Sequence, residues 1–266
     1  MNRLTKYKNW LTVNGLSANT IRAYCTDIDM FFNKFTKLTK DNVEEFILKL
    51  YETHSKSTIN RYINSIKSYC KFLNLPIELP RSARVEERLP EYITEECFRN
   101  EIIPVCEGVC EKSLRNKAIL YFMFYTGVRI NELVSLKRED IDLEKCLVKV
   151  YRQKSKKERI IPFTKLVSDI LKCYFASEPN PKNDFNVSQY AVCKLFKTLK
   201  TKLVLKVRFH PHLLRHSFAT MLRDKGFPIE DIQYLLGHAS IQTTMRYAHV
   251  NPKNLIEKYH NKLNEN

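Results

Sequence analysis

The sequence predicts a mainly α-helical protein with two domains: a four-helix N-terminal domain and a mostly helical C-terminal domain with a small antiparallel β-sheet. Three observations support this prediction. Apolar residues recur at the helical spacing of about 3.6 residues through residues 1–75. Residues 76–90 are rich in proline and charge and break that pattern, which is typical of a linker. Two strand-like runs then interrupt the helical segments of residues 91–266.

Composition favours a folded protein that binds a polyanion. The 266 residues suit two domains, at about 150 residues per domain, and 44% of them are hydrophobic, which is enough to form two cores. Lys and Arg total 45 against 29 Asp and Glu, a formal charge of +16. Such a charge attracts polyanions, so double-stranded DNA is the first partner to expect.

The sequence lacks the signals of a membrane or secreted protein. No apolar run approaches the roughly 20 residues that cross a bilayer, and the opening MNRLTKYKNW has no apolar signal-peptide core. We therefore expect a cytoplasmic, nucleoid-associated protein with no membrane partner. The eight cysteines form no CxxC pairs, so we interpret them as reduced core residues and expect neither a metal nor a cofactor.

The N-terminal helices are predicted from residues that favour helix N-termini. One helix begins at Ser17 and carries the apolar stripe of Ile21, Ile28 and Phe31; others begin at Thr39 or Asp41 and in SKSTINRY. Basic residues on the outward faces are candidate DNA-phosphate contacts: Arg22, Lys56, Arg61, Lys67 and Lys71. The alternative is that they are ordinary solvated helix faces.

In the C-terminal domain, a helix is predicted near Thr94, and SLRNKAILYFMFYTG predicts a central helix that stops at Gly127, because it is apolar on nearly all sides. CLVKVY and ERIIPF, separated by the lysine-rich RQKSKK, predict a β-hairpin with a charged tip. TKLVSDILKCYF and SQYAVCKLFKTLKTKL return to the helical pattern.

The stretch HPHLLRHS contains three histidines and an arginine in eight residues. Pro211 suits the first position of a helix and Gly226 the residue after its end, which places His212 and Arg215 together near the helix N-terminus. The residues allow a metal site, a satisfied polar cluster or a phosphate site. The guanidinium disfavours the metal, because it repels a cation and further ligands are needed.

Two more short helices are predicted downstream. In FPIEDIQYLLGH the helix ends at Gly237, and His238 follows directly after its end. In SIQTTMRYAHV, Tyr247 lies near the end of the helix. HPHLLRHSFAT, LLGHASIQTTMRYAHV and the earlier TGVRINELVSL resemble the conserved boxes of the tyrosine recombinase (phage integrase) family. The hairpin QKSKKERIIPF is similar to the lysine-bearing hairpin of that family, and residues 1–75 resemble its SAM-like core-binding domain.

The resemblance implies a catalytic set with Glu132 as a supporting carboxylate. The set comprises Arg129, Lys154, His212, Arg215, His238 and Tyr247. The tyrosine would attack a DNA phosphodiester, two arginines would stabilise the charge on phosphorus, and the lysine and histidines would move protons. The hairpin has no glycine and offers Lys156 and Lys157 beside Lys154, as further DNA contacts or as alternative acids.

The resemblance further implies a minimal, Xer-like site-specific recombinase without a cofactor. Strands would be exchanged through a 3′-phosphotyrosine intermediate and a Holliday junction, in integration, excision or dimer resolution. A dimer would bind each recombination site and a tetramer would form the synapse, with a possible accessory protein or partner recombinase. The tail, residues 253–266, would either cover its own core or dock on a neighbouring protomer. A type IB topoisomerase and a non-catalytic DNA-binding protein on the same fold are the alternatives.

Overall fold

The computed structural model describes residues 3–84, 91–109, 113–151, 158–177, 185–237 and 252–264. The chain forms two compact units, Met1–Arg88 and Leu89–Asn266. Five predicted site residues lie outside the described residues: Lys154, Lys156, Lys157, His238 and Tyr247.

The N-terminal unit is built from four helices. They are α1 (Arg3–Val13), α2 (Ala18–Phe32), α3 (Lys40–Tyr51) and α4 (Lys56–Leu73). The side-chain oxygens of Ser17, Thr39 and Ser55 accept hydrogen bonds from backbone N–H groups in the first turns of α2, α3 and α4. These hydroxyls satisfy amides that have no partner within the helix, which is why the helices begin where the sequence predicts.

The core of this unit is rich in aromatic rings, with Tyr7, Phe31, Phe46 and Tyr69 fully buried. Residues 76–84 pack against it: Ile77 and Leu79 contact the core, and the backbone of Ala83 forms hydrogen bonds in both directions with the Asn60 side chain. The described part of the segment predicted as a linker therefore lies along the N-terminal unit, because its apolar residues find a surface there.

The C-terminal unit is mostly helical. Its first part contains α5 (Glu95–Cys97), which continues through a π-helical turn (Phe98–Ile102) into α6 (Ile103–Val109), then α7 (Ser113–Thr126), α8 (Ile130–Ser135) and a 3₁₀ turn (Arg138–Asp140). Its last part contains α9 (Lys165–Ser177), α10 (Gln189–Lys202), α11 (Pro211–Asp224), α12 (Ile229–Leu236) and α13 (Pro252–Leu263). Among the described helices, none combines the length and apolar composition needed to cross a bilayer.

A small antiparallel sheet lies between these helices. Its strands are β1 (Ile141–Asp142), β2 (Leu147–Tyr151) and β3 (Glu158–Pro162), in the order β1-β2-β3. Strands β2 and β3 pair in register from Leu147 opposite Pro162 to Tyr151 opposite Glu158. The predicted hairpin is confirmed, and β1 adds a third strand too short to produce a periodic signal.

Helix α7 forms the centre of the C-terminal core, as its composition predicts. Every residue from 118 to 126 is buried, so the helix contacts neighbours on all sides. Gly127 ends it with φ +61°, and a Cβ atom there would lie 2.5 Å from Cδ1 of Phe218. Because a side chain would be strained in this conformation and would clash with α11, glycine is required at this turn.

The tail helix α13 packs on its own unit. Leu255, Tyr259 and Leu263 are buried in the C-terminal core, and the Tyr259 hydroxyl donates a 2.6 Å hydrogen bond to the carbonyl of Tyr125 at the end of α7. Of the two placements predicted from sequence, the structure has the one in which the tail covers its own core. Three residues of its apolar face are therefore buried against the core of the same chain.

We expect Tyr259→Ala to lower the free energy of unfolding by about 3–5 kcal/mol, the usual cost of emptying a buried aromatic site. Tyr259→Phe should cost about 1 kcal/mol, because the Tyr125 carbonyl loses its donor. Glu257→Ala, on the exposed side of the same helix, is the control. Urea denaturation of the free protein measures all three, and an unchanged stability of Tyr259→Ala would show that the tail does not pack on its own unit in solution.

Candidate active site

A pocket of about 200 Å³ in the C-terminal unit brings together three of the predicted catalytic residues. Arg129, His212 and Arg215 line it, although Arg129 precedes α8 and the other two lie on α11. The remaining lining residues are Val128, Ile130, Asn131, Gln189 and Pro211. Two guanidinium groups and an imidazole therefore face one cavity, which suits an anion.

Glu132 orients Arg129 from the first turn of α8. Its Oε2 accepts a hydrogen bond from the Arg129 backbone N–H at 2.8 Å, and its Oε1 accepts one from Arg129 Nη1 at 3.0 Å. The Arg129 side chain is 34% exposed whereas that of Glu132 is 8% exposed. The carboxylate thus lies beneath the arginine and leaves part of the guanidinium open to the pocket.

The same carboxylate binds a second arginine, Arg159 of β3. Arg159 Nη1 donates to Oε1 of Glu132 at 3.1 Å, and Nη2 donates to Oε2 at 3.0 Å. Burial by itself raises the pKa of Glu132, but hydrogen bonds and charge from Arg159, together with contributions from Arg129, hold that pKa below its ordinary value. Glu132 is therefore ionised at neutral pH and bears a full negative charge.

Arg215 is buried on α11 and forms hydrogen bonds with the C-terminal ends of two other helices. Its Nη1 donates to the Gly127 carbonyl at 2.6 Å, and its Nη2 donates to the Leu236 carbonyl at 2.5 Å. The first carbonyl follows α7 and the second lies at the end of α12. With 6% of its surface exposed, this side chain is fixed by its partners before any anion enters the pocket.

The three histidines of HPHLLRHS have separate positions. His210 caps α11, with its Nδ1 accepting the Leu213 N–H at 3.1 Å, while His212 and His216 are exposed on the helix. The part of the His212 ring that faces the pocket is shielded from water, and this loss of hydration lowers its pKa below the ordinary value; the positive charges of Arg215, His216 and Arg129 lower the pKa further. His212 is therefore neutral at pH 7 and can accept a proton.

The structure gives the residues of HPHLLRHS different surroundings. Within the described ranges, no three His, Cys, Asp or Glu side chains are grouped so that they could hold a metal ion. His210 has a structural role as a helix cap, whereas His212 and Arg215 face the pocket with Arg129. This arrangement would suit an anion, and the phosphate site stays a prediction.

The candidate DNA contacts of the N-terminal unit divide into two groups. Exposed side chains are those of Arg22, Lys56, Lys67 and Lys71. Lys67 and Lys71 line a groove of about 970 Å³ together with Arg81. Arg61 differs, because it forms an ion pair with the buried carboxylate of Asp27, which also accepts a 2.6 Å hydrogen bond from Ser65. A structural contribution from Arg61 is therefore evident in the fold.

The sequence analysis did not identify three polar residues at or near the pocket of the C-terminal unit. Asn131 and Gln189 line the pocket, and neither stands in a pattern that singles it out. Arg159 left a signal: in ERIIP it occupies an inward-facing position of the strand, two residues before the buried Ile161. An arginine at an apolar position of a strand indicates a buried partner of opposite charge.

Comparison with known proteins identifies both units. Residues 98–254 match the phage integrase family, and residues 4–75 match the N-terminal SAM-like domain of phage integrases. Tyrosine recombinase XerA of Pyrococcus furiosus is 33% identical over 267 residues, which cover 96% of this chain and 91% of that protein.

Solved structures share the fold. A crystal structure of XerA recombinase covers 96% of each chain at 28% identity, with a TM-score of 0.51. A lambda integrase tetramer bound to a Holliday junction has a TM-score of 0.72 at 17% identity, covering 89% of this chain and 76% of that one. At that identity the second likeness bears on the fold alone.

We expect the His212 imidazole to titrate with a pKa below the ordinary value of 6.5. His216→Gln should raise that pKa towards 6.5, because one of the positive charges that oppose protonation is removed. The measurement is an NMR pH titration of the histidine ring resonances, assigned with His212→Gln. A midpoint of 6.5 or higher in the unsubstituted protein would contradict the electrostatics of the pocket.

Proposed function

The chain belongs to the phage integrase family of tyrosine recombinases, and we propose that it performs site-specific DNA recombination with Tyr247 as the covalent nucleophile. The observation that carries the proposal is the pocket that joins Arg129, His212 and Arg215, three members of the catalytic set. Its small size and two guanidinium groups suit a single phosphodiester.

The arginines would stabilise the charge that develops during strand cleavage. Attack on a phosphodiester passes through five-coordinate phosphorus, and the non-bridging oxygens gain negative charge. Arg129, oriented by Glu132, and Arg215, fixed by two carbonyls, present positive charge to those oxygens with little rearrangement.

Proton transfer would be divided among the other members of the set. The Tyr247 hydroxyl loses its proton as it attacks phosphorus, and the neutral His212 of the pocket is suited to accept a proton there. Lys154 would donate a proton to the departing 5′ oxygen, and His238 would hold a proton at the phosphate. The product is a 3′-phosphotyrosine, which preserves the energy of the broken bond so that the strand is rejoined without ATP.

The two units would divide the work of binding and chemistry. Residues 1–75 would act as the core-binding domain, with Lys67 and Lys71 at DNA phosphates, 76–90 as the linker, and 91–266 as the catalytic domain. Because the substrate is double-stranded DNA, we expect the enzyme to act in the cytoplasm, at the nucleoid.

We propose that two protomers bind each recombination site and four form the synapse, in which strands are exchanged through a Holliday junction. The lambda integrase of the same fold is a tetramer on such a junction. An accessory protein or a partner recombinase would set the outcome as integration, excision or dimer resolution. Likeness to Xer recombinases along nearly the whole chain favours this function over a type IB topoisomerase, and the assembled pocket favours it over a non-catalytic DNA-binding protein.

The first test of this function is covalent chemistry. On a nicked suicide substrate, the protein should form a covalent adduct between Tyr247 and a 3′ phosphate. The short fragment that carries the new 5′ hydroxyl diffuses away, so the strand cannot be rejoined and the adduct accumulates. Tyr247→Phe should bind the same DNA and form no adduct, since it lacks the nucleophile. Denaturing gels and mass spectrometry of the adduct provide the measurement. An adduct in the phenylalanine variant would show that a residue other than Tyr247 is the nucleophile.

A second test separates catalysis from DNA binding. Arg129→Ala should slow cleavage by about a hundredfold or more, as expected when a charge-stabilising donor is lost, while weakening DNA binding only modestly. Lys67→Ala should do the reverse and reduce the salt dependence of binding, because it removes one phosphate contact. Arg61→Ala is the structural counterpart, since it should lower the melting temperature as well. Equal losses of cleavage and binding in the first two variants would contradict the assignment.

A further inference from the structure

Arg159 is a buried arginine that the proposed chemistry does not use. It lies opposite Val150 in the β2–β3 pair, with 6% of its surface exposed. Besides its two hydrogen bonds to the Glu132 carboxylate, its Nε donates to the Leu235 carbonyl at 2.8 Å. One guanidinium thus joins β3, the start of α8 and the end of α12.

The charges of this cluster explain what Arg159 contributes. If Glu132 had Arg129 as its single partner, the carboxylate would cancel the charge of that arginine and the pocket would present little net field to a phosphate. Arg159 adds a second guanidinium to Glu132, and neither of these two residues is among those that line the pocket. Two positive charges and one negative charge then leave one net positive charge, and Arg129 is the exposed member that carries it.

The geometry points to the same role. The bidentate contact fixes both oxygens of Glu132, and these same oxygens hold the backbone and the guanidinium of Arg129. Gly237 lies two residues after Leu235, whose carbonyl Arg159 binds, and a Cβ atom on Gly237 would lie 2.9 Å from Arg159 Nη1. The glycine thus lets the guanidinium of Arg159 pack directly against the backbone at this point.

We propose that Arg159 is a positioning residue of the cleavage reaction, which neutralises and orients Glu132 so that Arg129 presents its charge to the scissile phosphate. The inference rests on the proposed function, because it needs Arg129 at that phosphate. Arg159 itself touches no reacting atom and acts through Glu132.

The test compares Arg159→Met with the double variant Arg159→Met/Glu132→Gln in single-turnover cleavage of a suicide substrate. The single variant should slow cleavage by about a hundredfold, a loss typical of small misplacements in an active site. The double variant should recover most of this loss, because a neutral amide no longer cancels the charge of Arg129. Arg159→Lys should lie between the two, since it retains the charge without the bidentate geometry.

A modified substrate distinguishes positioning from simple stabilisation of the fold. In a scissile methylphosphonate, a methyl group replaces one non-bridging oxygen, so the group is neutral and needs less positive charge. The loss of cleavage rate relative to the wild-type protein should be smaller on this substrate than on the phosphodiester, for both Arg159→Met and Arg129→Ala. A purely structural role for Arg159 would give the same deficit on both substrates.

Arg99→Met is the matched control, because Arg99 pairs with Glu95 and Tyr125 of the same unit and does not line the pocket. It should lower the melting temperature and keep the wild-type ratio of rates on the two substrates. If Arg129→Ala cleaves normally, or its deficit is unchanged on the methylphosphonate, the proposed function of Arg129 fails. If Arg129→Ala behaves as expected while Arg159→Met shows equal deficits and the double variant recovers nothing, the positioning role of Arg159 alone is overturned.

Discussion

The carboxylate of Glu132 is shared between Arg129 and Arg159, and the arrangement of the pocket depends on this buried ionic cluster. A carboxylate that is buried without a partner loses its hydration and destabilises the folded protein. For this reason, removal of one member of a buried ion pair typically costs about 3–5 kcal/mol of folding free energy. Glu132 avoids that penalty by accepting four hydrogen bonds. The cluster fixes the relation of β3 to α8, and with it the direction of Arg129.

Backbone carbonyls play the equivalent part for Arg215. The carbonyls of Gly127, Leu235 and Leu236 lie where helices end and have no acceptor role inside those helices, so a guanidinium satisfies them. Arg215 takes two of these carbonyls and Arg159 takes the third. The ends of α7 and α12 are thereby held at the pocket by guanidinium groups, and this part of the pocket is fixed by contacts within the chain.

The two units use their charges differently. In the N-terminal unit, Lys67 and Lys71 are exposed along a groove, whereas Arg61 neutralises the buried Asp27 and supports the helix pair α2 and α4. In the C-terminal unit, the important arginines are largely inside. A formal charge of +16 therefore describes the attraction for DNA but says little about which cations bind it. Burial and partner, which composition does not report, separate the structural arginines from the exposed lysines.

The sequence by itself determined most of the described helices, the hairpin and three residues that line the pocket, Arg129, His212 and Arg215. Ser17, Thr39 and Pro211 mark helix starts because a cap acts on amides only a few residues away, and His212 and Arg215 share a face because they are one turn apart. Tertiary structure alone decided the partners of Arg159 and Arg61, the packing of Tyr259 on α7, and the meeting of Arg215 with Gly127 across 88 residues. These contacts join segments distant along the chain, and a charged or aromatic side chain has many possible partners until packing of the core brings one within reach.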